Sequence, residues 1–120
     1  MEFKMNDLFL MVAGAGGVLI AVAHGMIGHR KILTEIRGLP PVLLHINYAV
    51  FQMSTVYWLA GGIALLLAPF LLEPRERFVV AVIVAFLYIV GALGNGWITR
   101  GRHFGGYALA LVASLALLGA

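Results

Sequence analysis

The chain contains no cysteine, and only 11% of its 120 residues are charged. Without cysteine there is no disulfide, no thiolate metal site and no thiol nucleophile. A soluble globular domain carries about a quarter charged residues, because it needs a polar surface around its core. Since 62% of the residues are hydrophobic and the mean hydropathy is +1.02, the composition indicates a membrane protein.

Carboxylates are also missing from the apolar segments. The five acidic residues, at segment ends or in loops, are Glu2, Asp7, Glu35, Glu73 and Glu76. A paired-carboxylate acid–base site and a carboxylate-bridged di-iron site therefore lack their residues. A proton-coupled transporter driven by a buried acid is disfavoured for the same reason. Neither serine has a His and an Asp in helical register, so we expect a non-catalytic protein.

Four apolar segments predict an all-α, integral membrane four-helix bundle with up-down-up-down topology. The single transmembrane domain covers residues 1–120, with helices at about 8–28, 42–72, 78–98 and 103–120. Asn6 and Asp7 are N-cap candidates for the first helix, and Gly28 predicts its end. Pro41 is expected to start the second helix, because proline fits the first helical turn. The three short loops place both termini on one side of the membrane.

Basic residues are divided unevenly between the two sides of this topology. Five lie after the first and third helices: Arg30, Lys31, Arg37, Arg100 and Arg102. Three lie on the opposite side: Lys4, Arg75 and Arg77. The positive-inside rule therefore predicts cytoplasmic first and third loops and both termini outside, which in a bacterial inner membrane is the periplasmic side. Such scattered charges are typical of contact with lipid headgroups, and we expect no nucleic-acid partner.

Small residues recur every four positions along the first helix. Ala13, Gly17, Ala21 and Gly25 form a stripe on which another helix backbone can approach closely. This stripe predicts a helix-packing interface. Its partner is either another helix of this chain, a second copy of the chain or another membrane protein.

Polar side chains line one face of the second helix, where His45, Tyr48, Gln52 and Thr55 are spaced by three or four residues. Polar groups in hydrocarbon need partners, so we expect this face to point into the bundle. The third helix supplies Asn95 and the first helix supplies His24. One interpretation is structural, with hydrogen bonds that join the helices.

The functional interpretation uses the same residues as a binding site. His24, His45, Tyr48, Gln52 and Asn95 are the candidate cofactor-binding residues, for haem or a quinone. His24 and His45 are the best-placed pair for a metal, because neutral imidazole is a common metal ligand. Four aromatic residues are expected to line or cap the site: Tyr57, Trp58, Tyr88 and Trp97.

Two short motifs resemble a group of small, uncharacterised proteobacterial four-helix inner-membrane proteins. Residues 23–30 (AHGMIGHR) resemble the His-Ser-x-x-Gly-Glu end of that group's first helix, with Gly25 in place of Ser and His29 in place of Glu. Residues 51–58 (FQMSTVYW) resemble its Trp-His-x-Thr-Ser-x-x-Trp motif, with Gln52 in place of His. Residues 100–103 (RGRH) are also similar. The group has no established activity, and the two departures remove a glutamate and a histidine from a ligand set.

Three functions follow from these observations. The first is a non-catalytic accessory or scaffolding subunit of a larger membrane complex or of a homo-oligomer, because it needs only the small-residue stripe. The alternative is a membrane protein that binds haem, a metal or a quinone on the polar face of the bundle. The third is a small transporter, which at four helices would need several copies to enclose a pathway.

Overall fold

The computed structural model describes residues 4–35 and 37–120, with no account of the side chains at 32–34. It is an all-α bundle of four helices: α1 (Met5–Thr34), α2 (Pro41–Leu71), α3 (Pro74–Thr99) and α4 (Phe104–Leu118). The first three are long and apolar enough to cross a membrane, whereas α4 has only 15 residues. At about 1.5 Å per residue, α4 extends roughly 22 Å.

The bundle is antiparallel, with α1 against α2 and α4, and α3 against α2 and α4. Contacts between α1 and α2 run from Gly14 with Gly62 to Gly25 with Thr55, so numbers rise along one helix as they fall along the other. The predicted up-down-up-down order is therefore confirmed. Many large apolar side chains remain exposed on the outer faces, as expected of helices that face lipid.

Helix α1 differs from its prediction at both ends. Its N-cap is Lys4, and Asp7 is the third helical residue, whose carboxylate accepts the Lys4 backbone N–H at 3.0 Å. Asn6 and Asp7 are therefore inside the helix, and predicting them as caps was wrong. Helix α1 also continues through Gly28 to Thr34. Gly28 does not end it, because the ring of Phe51 on α2 packs over this glycine and occupies the space of a side chain.

The small-residue stripe of α1 packs inside this chain. Ala13 and Ala21 are fully buried, Gly17 lies against Gly62 and the Tyr88 hydroxyl, and Gly25 lies against Thr55 and Gln52. The backbones of α1 and α2 also approach closely at Gly14, which is outside the stripe. A Cβ there would lie 2.7 Å from the Gly62 carbonyl oxygen and 2.6 Å from the Leu66 backbone nitrogen.

Tyr88 lies at the centre of the core and is completely buried. Its hydroxyl donates a 2.7 Å hydrogen bond to the carbonyl oxygen of Trp58. The Trp58 ring in turn covers Gly91, where a Cβ would lie 2.6 Å from the ring. These contacts fix the rotation of α2 and α3 about their axes, and so fix the direction in which the Trp58 indole points.

Arg77 closes the end of the bundle that carries the N-terminus of α1. Its guanidinium binds the Asp7 carboxylate at 2.7 Å and donates to the carbonyl oxygens of Pro69 and Leu72 at 2.9 and 2.7 Å. The last carbonyls of a helix lack partners within it and carry partial negative charge. Because the last turn of α2 has no basic residue, Arg77 supplies the cation from the first turn of α3.

Candidate functional site

His24 on α1 makes a polar contact with α2. Its Nε2 is 3.1 Å from the hydroxyl oxygen of Ser54, and that hydroxyl donates to the Phe51 carbonyl oxygen at 2.6 Å. Since the one hydroxyl hydrogen of Ser54 goes to Phe51, the hydroxyl oxygen accepts from His24 Nε2–H. In the neutral imidazole, Nδ1 then carries the lone pair.

Two aromatic rings hold the His24 imidazole in place. Phe51 stacks on it with centroids 3.9 Å apart and an angle of 8° between the planes, and Trp58 lies 4.6 Å away at 58°. Phe51 reaches this position because Gly28 leaves room for its ring. The residues that carry the two resemblance motifs, 23–30 and 51–58, therefore contact each other.

A cavity of about 420 Å³ lies beside His24, at the end of the bundle near the first and third loops. All four helices contribute to its lining. Its walls are mainly apolar: Leu19, Ile20, Ala23, Ile27, Phe51, Trp58, Phe104, Ala108 and Leu109. The mouth lies between α1 and α4, since Leu19, Ile27 and Phe104 are wall residues that are also exposed on the outer surface.

Asn95 of α3 lines the cavity and also carries a buried polar atom without a partner. Its Oδ1 is buried and has no hydrogen-bond partner within residues 4–35 and 37–120. An unpaired buried acceptor costs about 1–3 kcal/mol, and such groups are rare in folded proteins. Thr99, which also lines the cavity, does not pair with it, since its hydroxyl donates to the Asn95 backbone carbonyl at 2.7 Å.

His103 adds a donor at the same end. It is the N-cap of α4, and its Nδ1 accepts the Gly105 backbone N–H at 3.1 Å. In the neutral ring the hydrogen therefore sits on Nε2. Phe104 stacks beside it with centroids 5.1 Å apart. Lys31 completes the polar part of the lining from α1.

The structure brings together two of the five predicted cofactor-binding residues. His24 and Asn95 line the cavity, whereas the three on α2 make contacts elsewhere. Gln52 Nε2 donates to the Gly25 carbonyl at 3.2 Å, the Tyr48 hydroxyl pairs with His29 Nδ1 at 2.9 Å, and His45 Nδ1 donates to the Pro41 carbonyl at 2.7 Å.

The predicted metal pair is not assembled. His24 contacts Ser54, and His45 lies nine residues earlier on α2, about 13 Å along the helix at 1.5 Å per residue. In the described part of the chain, no group of three or more His, Cys, Asp or Glu side chains is placed to hold a metal ion. His24 lines the cavity, whereas the α2 polar face makes helix–helix and loop contacts.

Several lining residues were not predicted from the sequence. Phe104 was visible only as the start of α4, and Phe51 only as part of a motif. Among the predicted aromatic residues, Trp58 lines the cavity and Tyr88 lies in the core, whereas Tyr57 and Trp97 are exposed on the outside.

Fold and cavity together define a small helical protein with three helices suited to a membrane and a cavity inside its bundle. No protein-family model, curated protein or solved structure matches the chain. The similarity to the proteobacterial group therefore stays a prediction that rests on the short motifs.

Proposed function

We propose that this chain is a non-catalytic, multi-pass membrane protein that binds a small amphiphilic molecule from the bilayer in the cavity beside His24. The observation that carries the proposal is the cavity itself, with mainly apolar walls and a few polar side chains, among them His24, Asn95 and His103. Ligand sites have this character: volumes of about 300–1,000 Å³, mainly apolar walls and a few polar groups that fix orientation.

The proposed location is the bacterial inner membrane, with both termini in the periplasm. The excess of basic residues after α1 and α3 supports this orientation through the positive-inside rule. The cavity then lies in the cytoplasmic leaflet. A mouth between two helices at that depth admits a molecule that is already dissolved in the lipid.

A quinone, one of the ligands predicted from the sequence, belongs to this class of amphiphilic molecules. The metal and the haem predicted beside it fit the site less well. His24 Nε2 is engaged with Ser54, and His103 Nδ1 is engaged with the backbone of α4. One nitrogen of each ring is left for a polar head, whereas the predicted metal pair of His24 and His45 is not assembled, and the described residues hold no group of three or more His, Cys, Asp or Glu placed for a metal ion.

An accessory or scaffolding subunit is the second candidate from the sequence, but its interface no longer has a free surface. The stripe of Ala13, Gly17, Ala21 and Gly25 is occupied by helices of this same chain. The broad apolar outer surface suits lipid as well as a protein partner. We therefore place ligand binding first.

Tryptophan fluorescence tests the proposal, because the chain has two tryptophans with different surroundings. Trp58 lines the cavity and is 8% exposed, whereas Trp97 is 87% exposed on the outer surface. In a Trp97→Phe background reconstituted in nanodiscs, bromododecane is expected to quench Trp58 saturably, since bromine quenches only at short range.

Two alanine-to-phenylalanine substitutions on α4 form a matched pair, one inside the cavity and one on the outer surface. Ala108→Phe places a ring in the cavity and should abolish saturable quenching, whereas Ala110→Phe adds the same ring to an exposed position of α4. Equal, non-saturating quenching in both variants would contradict the proposal. Mass spectrometry of lipids and chains that co-purify in mild detergent then identifies the natural ligand, or reveals a stoichiometric protein partner instead.

A further inference from the structure

We infer that the amphiphile in the cavity is a long-chain carboxylate, with its anionic head at the Lys31 ammonium and its single acyl chain along α1. This inference rests on the proposed function and adds the chemical class of the ligand. It starts from the charge of the cavity wall. Among the described lining residues, Lys31 is the one Lys, Arg, Asp or Glu, so the wall carries a positive formal charge and no negative one.

The Lys31 ammonium is free to meet an anion. Its side chain is exposed and makes no ion pair with a carboxylate of the described residues. Five basic residues follow the first and third helices, whereas Glu35 is the one acidic residue at that end of the bundle. A cation at the mouth of an apolar cavity, within a positive local field, attracts an anion more than a neutral or cationic head.

The α1 side of the cavity is one continuous face of the helix. Four lining residues follow one another at intervals of four: Leu19, Ala23, Ile27 and Lys31. Over the twelve residues from Leu19 to Lys31 the helix rises about 18 Å, at about 1.5 Å per residue. The hydrocarbon of one leaflet is about 15 Å thick, half of a core of about 30 Å. The lined face is therefore comparable in length to one acyl chain, with the cation at the loop end.

The placement of the walls gives the ligand a direction. Lys31 lies at the loop end, whereas Leu19, Ile20 and Leu109 extend the cavity toward the middle of the bundle. A carboxylate at the loop end with its chain toward the bilayer centre has the orientation of a lipid in that leaflet. The molecule can therefore enter between α1 and α4 without turning over.

Other head groups match a single ammonium less well. A quaternary ammonium would face a like charge, and a neutral hydroxyl or quinone head would leave the charge of Lys31 to water alone. A phosphate monoester carries about −1.5 to −2 charges, more than one lysine neutralises. Phosphate is commonly bound by the bidentate guanidinium of arginine, and no arginine is among the described lining residues. A carboxylate carries a single charge and matches Lys31.

The test compares ω-bromododecanoate with ω-bromododecanol, which share the same chain and the same bromine. Each is added to the Trp97→Phe protein in phosphatidylcholine nanodiscs at about pH 8.5, where lysine and carboxylate are both ionised. The saturable quenching of Trp58 gives the half-saturating concentration. We expect the carboxylate to bind about threefold more tightly than the alcohol, since exposed ion pairs contribute modestly. The preference should shrink at about 1 M salt, where charges are screened.

Partitioning into protein-free nanodiscs is measured for each compound and subtracted. Lys31→Gln should bring the carboxylate-to-alcohol ratio close to one while both compounds still bind. Lys31→Glu should reverse the charge preference, so that ω-bromododecyltrimethylammonium binds more tightly than the carboxylate. Arg102→Gln is the matched control, because it removes an exposed cation from the same end of the bundle but lies outside the lining. Its ratio should stay at about threefold.

Each contrary outcome overturns a defined part of the inference. Equal binding of the carboxylate and the alcohol to the parent protein, or a preference that persists in Lys31→Gln, overturns the anionic head and leaves the proposed function standing. An equal loss of the preference in Arg102→Gln would overturn the assignment to Lys31. Tighter binding of ω-bromododecyl phosphate than of the carboxylate would replace the carboxylate with a phosphate. If neither these compounds nor bromododecane quench Trp58 saturably, the proposed function and the inference fail together.

Discussion

Arg77 and Asp7 form an ion pair with an N–O distance of 2.7 Å across 70 positions of sequence. The pair joins the first turns of α1 and α3, and the same guanidinium donates to two carbonyls at the end of α2. The Asp7 side chain is 11% exposed and that of Arg77 is 27% exposed. Three of the four helices are thereby tied together at the end of the bundle away from the cavity.

Replacing Arg77 should lower the free energy of unfolding. Arg77→Gln leaves the Asp7 carboxylate and the α2 carbonyls without their cation, at a cost of about 2 kcal/mol for hydrogen bonds to charged groups. Thermal or denaturant unfolding in detergent, followed by circular dichroism, measures the loss. Arg75→Gln is the control, because Arg75 is exposed in the same turn of α3. Equal stability of the two variants would contradict the role of Arg77.

Gly17→Ala should destabilise the bundle by about 1–3 kcal/mol through overpacking. The added methyl group would overlap the Tyr88 hydroxyl, which is held in place by its hydrogen bond to Trp58. A Tyr88→Phe background removes the overlap with the hydroxyl and leaves the ring carbon Cζ at 2.9 Å from the added methyl group, so the two substitutions should be coupled in a double-mutant cycle.

Gly94→Ala is the control for Gly17→Ala. A Cβ at Gly94 meets no atom within 4 Å among the described residues. Since alanine is the better helix former by about 1 kcal/mol, this variant should be at least as stable as the parent protein. Strictly additive effects of Gly17→Ala and Tyr88→Phe would show that their contact does not limit the packing.

Gly28→Ala should weaken ligand binding, since Gly28 lines the cavity and lies under the Phe51 ring. A methyl group at this position overlaps the Phe51 ring, and Phe51 stacks on His24. Displacing Phe51 therefore removes the support of the imidazole, and the saturable quenching of Trp58 by bromododecane should weaken several-fold.

Gly96→Ala is the matched helix-glycine control for Gly28→Ala, because within the described chain its Cβ would meet nothing closer than 4 Å. A Gly28→Ala protein with unchanged binding would show that Phe51 can move without disturbing His24. Combining Gly28→Ala with Phe51→Leu should partly restore stability, because leucine is smaller, has no ring and so removes the overlap.

Single-cysteine labelling tests the proposed orientation, since the chain has no cysteine of its own. Leu39→Cys lies in the exposed first loop, and Ala120→Cys lies at the opposite end of the bundle. A membrane-impermeant thiol reagent applied to intact cells should label Ala120→Cys, and should reach Leu39→Cys only after the inner membrane is opened. The reverse pattern would place the cavity in the periplasmic leaflet.

Helix starts at prolines were predictable because a local rule sets them. Pro41 begins α2 as predicted, and Pro74 begins α3 a few residues before the predicted start at 78, supported by a capping box between Glu73 and Glu76. Proline lacks an N–H and already has a helical φ, so it needs no tertiary support in the first turn. The end of α1 was not predictable from Gly28, because a ring from α2 compensates for the missing side chain.

The contacts of the polar residues were also predictable only in part. Their spacing predicted one polar face on α2, but not which neighbour each side chain would meet. His45 and Tyr48 bond near the first loop, Gln52 bonds to the α1 backbone, and only His24 and Asn95 reach the cavity. Which neighbour each side chain meets depends on the rotation and register of the helices, and the spacing along one helix does not specify these.

The sequence by itself determined the class of protein and the four helices, because apolar length decides what spans a bilayer and helical backbone satisfies its own hydrogen bonds there. The tertiary structure alone decided the site. The close approach of Gly14 to Gly62 and the burial of Tyr88 set the rotation of the helices. Since residues from all four helices line the cavity, its shape exists only once those helices have packed.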